Sequence, residues 1–225
     1  MGQTGPALPL GLKWARTRVR SVNSIKHWEI LKGLPGDGPV PLHFHGGHPT
    51  PWTEGFVVKF FAPDDSAWVG NFQMGIVGFN LIVEWPESKS VVVVANGACY
   101  LVPVADPASY STHRYASVQA LLFDHDREML FIADYGDVTA YRTDRKIAWR
   151  QEGLGLPGIP LNSCADGVLA IEVEFEMGEA WASIKLAVSD GAILEAPPNF
   201  RRAPGLAAKT VTLIKGLFPG SQSKN

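Results

Sequence analysis

The chain has 225 residues, of which 46% are hydrophobic and 19% are charged, and its net charge is −2 at pH 7. This composition supplies a sizeable core and excludes a largely disordered chain. The near-neutral charge argues against binding of nucleic acid or of a membrane surface through a basic patch. The two cysteines, Cys99 and Cys164, fit free thiols in a reducing compartment, and no apolar run reaches the length of a membrane span. We therefore expect a cytoplasmic protein.

The length fits one β-rich domain, which we place at residues 13–218. Residues 1–12 are rich in Gly, Pro and Leu and are expected to form a flexible N-terminal arm, and residues 219–225 are expected to form a disordered tail. The stretch 14–31 fits either a strand pair or a short helix. Residues 33–53 combine Gly, Pro and His and predict a long loop.

Short apolar runs separated by Gly, Pro and Asp predict a series of antiparallel strands. They lie at residues 55–61, 67–73, 80–85, 91–94, 99–104, 118–123, 129–133, 138–143, 146–151, 171–176, 181–188 and 192–194. Ile171, Val173 and Phe175 alternate with glutamates, so one face of that strand is expected in the core and the other in water. The segment 207–218 fits a closing strand or a short helix.

A hairpin-like phrase occurs twice between Val91 and Trp149. The first copy turns at Asn96-Gly97 and the second at Asp134-Tyr-Gly136, with Thr139-Ala-Tyr141 and Lys146-Ile-Ala-Trp149 behind it. The second copy resembles the strands of quinoprotein-type β-propeller repeats, whose blades turn at a glycine and end near a tryptophan. The resemblance implies a scaffold for binding, and it transfers neither catalytic residues nor a quinone site. The predicted fold is an all-β single domain of antiparallel hairpins, either sandwich-like or incomplete propeller-like.

The charges are distributed unevenly along the chain. Residues 152–195 contain eight acids and one base, Lys185, whereas the chain after Glu195 contains five bases and no acid. Residues 1–26 likewise carry five bases and no acid. Two interpretations remain open: the basic termini neutralise the acidic segment, or they form a patch for an anionic partner.

Three histidines, His43, His45 and His48, fall within six residues of the predicted loop. On an extended chain His43 and His45 point the same way, and the intervening glycines allow His48 to fold back. Three imidazoles suit Zn²⁺, and with a carboxylate such as Glu54 they suit Fe²⁺ or Mn²⁺. The His-x-His followed by a Glu also resembles the first metal motif of the all-β cupins, although Glu54 lies farther along the chain than in that family.

The alternative is a loop whose histidines bond to backbone groups and stack on Phe44 and Trp52. These two rings are then candidate contacts to a partner, because exposed aromatic side chains anchor protein interfaces. The sequence contains no nucleophile elbow, phosphate-binding loop or dinucleotide fingerprint. We expect a non-enzymatic binding protein, for example a bacterial protein that recognises or neutralises another protein, without a cofactor. The second hypothesis is a cupin-like metal enzyme that uses His43, His45, His48 and Glu54.

Overall fold

The computed structural model describes residues 25–46, 54–156, 158–175, 180–198 and residue 200. The predicted arm at 1–12 and tail at 219–225 lie outside these ranges. Two candidate site residues, His48 and Trp52, also lie outside them.

The described residues form sixteen strands and two short 3-10 helices. The strands are β1 (His27–Ile30), β2 (Leu42–Phe44), β3 (Phe56–Phe61), β4 (Ala67–Phe72), β5 (Leu81–Trp85), β6 (Ser90–Ala95), β7 (Ala98–Pro103), β8 (Ser111–Thr112), β9 (Ala120–Asp124), β10 (Met129–Ala133), β11 (Val138–Tyr141), β12 (Ile147–Gln151), β13 (Leu161–Ala165), β14 (Val168–Val173), β15 (Ala182–Ala187) and β16 (Ile193–Glu195). The 3-10 helices are Pro86–Ser88 and Pro107–Ser109. In the part of the chain that the structure describes, no helix is long and apolar enough to cross a membrane.

These strands form four sheets of four strands each. Sheet 1 has the strand order β1-β3-β4-β2. The other three sheets are meanders, in which strands adjacent in sequence are adjacent in the sheet: sheet 2 contains β5–β8, sheet 3 contains β9–β12 and sheet 4 contains β13–β16. All neighbouring strands are antiparallel except β2 and β4, which are parallel. The predicted all-β class and the predicted hairpins are confirmed.

The sheets stack face to face in chain order. One buried cluster joins sheets 1 and 2 through side chains such as Phe60, Phe72 and Tyr100. A second joins sheets 2 and 3, and a third joins sheets 3 and 4 around Phe131 and Trp149. This succession of separate four-stranded sheets is the incomplete propeller-like arrangement of the two alternatives.

The inner strands of sheets 2 and 3 are buried on both faces. Along β6, Val91 and Val93 face sheet 1, while Val92 and Val94 face sheet 3. Because both faces of such a strand need apolar side chains, it appears in the sequence as a continuous apolar run. In β14 only alternate residues are fully buried, so sheet 4 is covered on one face. The alternation predicted from Ile171 and Val173 is therefore confirmed.

Sheet 1 departs from the prediction. The stretch 33–53 was expected to be a loop, but Leu42–Phe44 forms β2, which pairs with β4 beyond β3. Residues 31–41 must therefore cross over β3 and β4 to reach it. Since sheet 2 covers the other face, the crossing passes over the outward face, where Val57 and Val69 are buried. A parallel pairing of distant segments leaves no short-range signal in the sequence.

The strand directions give the stack two different ends. We call "link end" the end with the connections between sheets and the turns β6–β7, β10–β11 and β14–β15. We call "hairpin end" the opposite end, which holds the remaining hairpin turns. Backbone hydrogen bonds align the link ends of neighbouring sheets, for example Val118 N–H to Gly97 O and Leu154 N–H to Gly136 O. At the hairpin end the Ser88 hydroxyl donates to Thr143 O across sheets 2 and 3.

The same type of turn closes the last hairpin in each of sheets 1, 3 and 4. In each, an aspartate oxygen accepts the N–H two residues on: Asp64 from Ser66, Asp144 from Lys146 and Asp190 from Ala192. The residue between has positive φ, at 64° for Asp65, 63° for Arg145 and 74° for Gly191. Asp65 and Arg145 occupy the equivalent position in the other two turns, so the positive φ alone does not require a glycine at Gly191. A Cβ there would lie 2.5 Å from the Trp149 ring.

We predict that Gly191→Ala lowers the free energy of unfolding by ~1–3 kcal/mol, because the added methyl group clashes with Trp149. Trp149 cannot shift freely, since its indole N–H donates to Val188 O at 2.7 Å. Urea denaturation followed by tryptophan fluorescence measures the change. The control is Gly78→Ala, where a Cβ meets nothing within 4 Å. Equal stability of the two variants would contradict the proposed packing.

Candidate functional site

His43 and His45 lie at the end of β2 and point the same way, as predicted from the extended chain. Their rings are stacked, with centroids 6.5 Å apart and an interplanar angle of 15°. The His43 Nδ1 lies 3.2 Å from the Asn71 amide nitrogen, while the backbone N–H of His45, which is exposed, donates to the Tyr110 hydroxyl. The structure therefore brings together two of the four predicted metal ligands.

Glu54 has another partner in the structure. Its Oε1 accepts the backbone N–H of Leu34 at 2.5 Å. This bond ties the segment after β1 to the start of β3. Among the described residues, no group of three or more His, Cys, Asp or Glu is placed to hold a metal ion. His48 lies outside those residues, so the predicted metal site stays a prediction.

Phe44 was proposed as a contact to a partner, but the structure places it in the core. It is 1% exposed and stacks on Phe72 at 4.3 Å between centroids, with Tyr110 edge-on at 4.8 Å. The physical reason is strand alternation: β2 sends His43 and His45 to one side and Phe44 to the other. Phe44 thus offers almost no surface for binding in this conformation.

Two side chains near the end of β4 bind backbone N–H groups at the link end. Gly46 donates its N–H to the Gln73 side chain, and Gly55 donates its N–H to the Asn71 side chain. Trp52, the second predicted partner contact, lies outside the described residues, so its role stays a prediction.

A buried polar relay that the sequence did not indicate joins sheets 2 and 3. Nε2 of His113, in the link between these sheets, lies 2.7 Å from Asp134 Oδ2, and its Nδ1 lies 2.8 Å from the Tyr141 hydroxyl. The His113 and Asp134 side chains are 0% and 1% exposed. In the sequence, 21 residues separate the imidazole from the carboxylate, and no motif marks the pair.

The directions of these two hydrogen bonds depend on which ring nitrogen of His113 carries the proton. Burial raises the pKa of Tyr141 above its usual range, so this hydroxyl keeps its proton.

Further polar groups surround the relay on sheet 3. The Arg150 Nε donates to the Thr139 hydroxyl at 2.9 Å, and Asp137 Oδ1 accepts the Gly153 N–H at 2.9 Å. Burial raises the pKa of Asp137, while the bond from Gly153 opposes the shift. The Oδ1 of Asp134 and one Nη of Arg150 are buried without a hydrogen-bond partner. The relay is buried polar packing between sheets 2 and 3.

The two cysteine thiols and His125 have their own structural surroundings. Cys99 is 2% exposed. Cys164 lies in β13 and donates to Asp124 Oδ2 at 3.2 Å, and burial together with this carboxylate raises the pKa of its thiol to about 12. Such a thiol forms little thiolate at neutral pH. His125 is an exposed turn residue paired with Glu87.

The link end exposes large apolar side chains. They are Ile30 (62% exposed), Leu34 (41%), Met74 (52%), Ile76 (78%), Tyr135 (42%) and Trp181 (48%). At the same end the Arg114 guanidinium lies over the Tyr115 ring, 4.9 Å from its centroid. The exposed charged residues of the hairpin end are Lys26, Asp64, Asp65, Lys89, Asp106, Asp126, Arg127, Glu128, Arg142, Asp144, Lys146, Asp166 and Asp190. The link end also exposes charged residues such as Glu54, Arg114 and Glu152, so the two ends differ chiefly in their exposed large apolar side chains.

Comparison with known proteins does not assign the chain to a family. No protein-family model matches the sequence, and no curated protein matches it.

We predict that His113→Ala lowers the free energy of unfolding by about 3–5 kcal/mol, because it leaves the Asp134 carboxylate buried without its partner. Chemical denaturation measures the loss. The matched control is His125→Ala, which removes an exposed imidazole with a carboxylate at a similar distance and should cost less than ~1 kcal/mol. If the two variants were equally stable, the relay would not hold sheets 2 and 3 together.

The metal hypothesis predicts near-stoichiometric Zn, Fe or Mn in the full chain purified without a histidine tag. Elemental analysis should then find the metal lost in a His43→Ala/His45→Ala variant and retained in His27→Ala/His125→Ala, which removes two other exposed imidazoles. Metal absent from the parent protein, or retained in the first variant, would eliminate a site built on His43 and His45.

Proposed function

We propose that this chain is a non-enzymatic binding protein that uses its link end to recognise another protein. The observation that carries the proposal is that Met74, Ile76, Tyr135 and Trp181, on connections and turns at that end, are exposed. Large exposed apolar patches on a protein surface mark interaction sites. Aromatic residues, Met and Arg are also the residue types enriched in protein interfaces.

The contrast between the two ends supports a protein as the occupant. The hairpin end carries acids and bases in close succession and has Ile147, at the start of β12, as an exposed large apolar residue. A surface of mixed charge stays hydrated, since isolated ion pairs contribute little on contact. The link end, by contrast, offers apolar area that a partner with an apolar patch of its own would remove from water.

One candidate site residue from the sequence lies at the same end: His45 is exposed beside Gly46. Arg114 on Tyr115 adds a cation–π pair of the type found at interface hot spots. Recognition or neutralisation of another protein by this surface is therefore the function that we favour.

The buried groups support a role without catalysis. The relay of His113, Asp134 and Tyr141 is sealed, and the thiols of Cys99 and Cys164 have raised pKa values. Both thiols are free, which supports a reducing compartment such as the cytoplasm. A metal-dependent enzyme is the second candidate, favoured by the stacked rings of His43 and His45.

A photo-crosslinking amino acid tests the surface in the native host cell. At Ile76 the probe should yield a covalent product with one protein, and at Ile147 it should not. With that protein purified, Ile76→Asp should weaken binding at least about tenfold, a change of ~1.4 kcal/mol. Ile147→Asp, which alters a side chain that is also exposed, should leave Kd unchanged.

Three results would contradict the proposal. The same product from both positions would mean that the contact is non-specific. Unchanged Kd in Ile76→Asp would place the binding surface elsewhere. Products that contain only a second copy of the chain would make the link end a self-association surface, which size-exclusion chromatography would show independently.

A further inference from the structure

The outward face of sheet 4 is the open side of the stack. In β14, Leu169, Ile171 and Val173 are 0% exposed against sheet 3, while the alternate residues Val168 and Ala170 remain partly exposed. On the corresponding outward face of sheet 1, Val57 and Val69 are buried. The outward face of sheet 1 is thus covered, whereas the outward face of sheet 4 is partly exposed.

This open face combines small apolar and charged side chains. Strand pairing places Ala170 beside Lys185 and Glu172 beside Ser183 on the same face. Leu194, on β16, is 57% exposed because Ile193 takes the inward position. The face therefore offers apolar area together with a carboxylate at its centre.

The chain that follows sheet 4 has complementary chemistry. Beyond residue 200 it contains the bases Arg201, Arg202, Lys209, Lys215 and Lys224 and no acid. On the open face Lys185 forms an ion pair with Glu195, so the Glu172 carboxylate supplies the net negative charge there. The apolar residues of this tail are concentrated at 206–218, among them Val211 and Leu213. Opposite charge and shared apolar character match this tail to the open face.

The covalent attachment of this tail next to sheet 4 favours its contact with the open face. Phe200, the last described residue, lies 5.6 Å from Phe175 between ring centroids and packs against the cluster between sheets 3 and 4. The tail thus begins beside sheet 4, and a short flexible connection gives an effective concentration in the millimolar range. An extended segment of twelve residues spans up to ~40 Å, about twice the length of a six-residue strand.

We propose that residues 207–218 dock on the outward face of sheet 4 and close the open side of the stack. Apolar side chains of this segment cover Ala170 and Leu194, and its lysines approach Glu172. This inference concerns a different surface from the link end and does not depend on the proposed function.

Carbodiimide crosslinking of the full chain, followed by peptide mass spectrometry, tests the docking. The expected product joins Lys209 or Lys215 to Glu172, and it should disappear in Glu172→Gln. In Leu194→Asp its yield should fall about tenfold, because a charge on the apolar contact weakens docking. Ile147→Asp introduces the same charge at an exposed position of sheet 3 and should leave the yield unchanged. Thermal denaturation checks that each variant is folded.

Crosslinking a mixture of isotopically labelled and unlabelled chains separates products within one chain from products between copies. Products only between copies would show that the tail docks on a second molecule and would overturn the proposal. Equal yields at Glu172 and at Glu128, an exposed residue of the hairpin end, would show that the tail has no preferred surface. The absence of any tail product would overturn it as well.

Discussion

Burial of both faces of sheets 2 and 3 is the constraint on which the rest of the structure depends. A strand such as β6, with all six residues buried, is stable only between two other sheets. Each sheet must therefore have a neighbour, and the stack grows in chain order. The connections between neighbouring sheets all lie at one end of the stack. The link end is therefore a consequence of stacking the sheets to bury both faces of sheets 2 and 3. Met74 and Ile76, two of the exposed apolar side chains, lie on the connection between sheets 1 and 2.

The sealed relay makes the packing between sheets 2 and 3 specific. Apolar contacts alone tolerate small shifts of one sheet against another, whereas a hydrogen bond from His113 to Asp134 requires one arrangement. Removing either group would leave the other buried without its partner, at a cost larger than the bond itself contributes. The buried polar residues His113, Asp134 and Tyr141 thus contribute to the packing between sheets 2 and 3.

The strands of sheets 2 and 3, except β8, were predictable because their information is local. Asn96-Gly97 forms a tight turn, with φ of 50° and 94°, between two apolar runs, and that pattern is visible over ten residues. Strand β2 escaped prediction because it pairs in parallel with β4 across a long connection. The burial of Phe44 followed from that missed strand. His113 and Asp134 meet only after the sheets stack, so the sequence contains no sign of their contact. His43 and His45 were correctly placed side by side because alternation along an extended chain is also local.

Hydroxyl-radical footprinting of the free full chain tests the central claim, that the link end is an accessible apolar surface on a sealed stack. The reagent oxidises exposed Met, Trp and Tyr side chains, and these occur both at the link end and in the core. The account predicts oxidation of Met74, Tyr135 and Trp181, and protection of Trp85, Tyr100 and Tyr141, which are buried. Protection of the first three would mean that the link end is already covered in the free chain, which contradicts its role as the partner surface. Oxidation of the last three would contradict the stacking of the sheets.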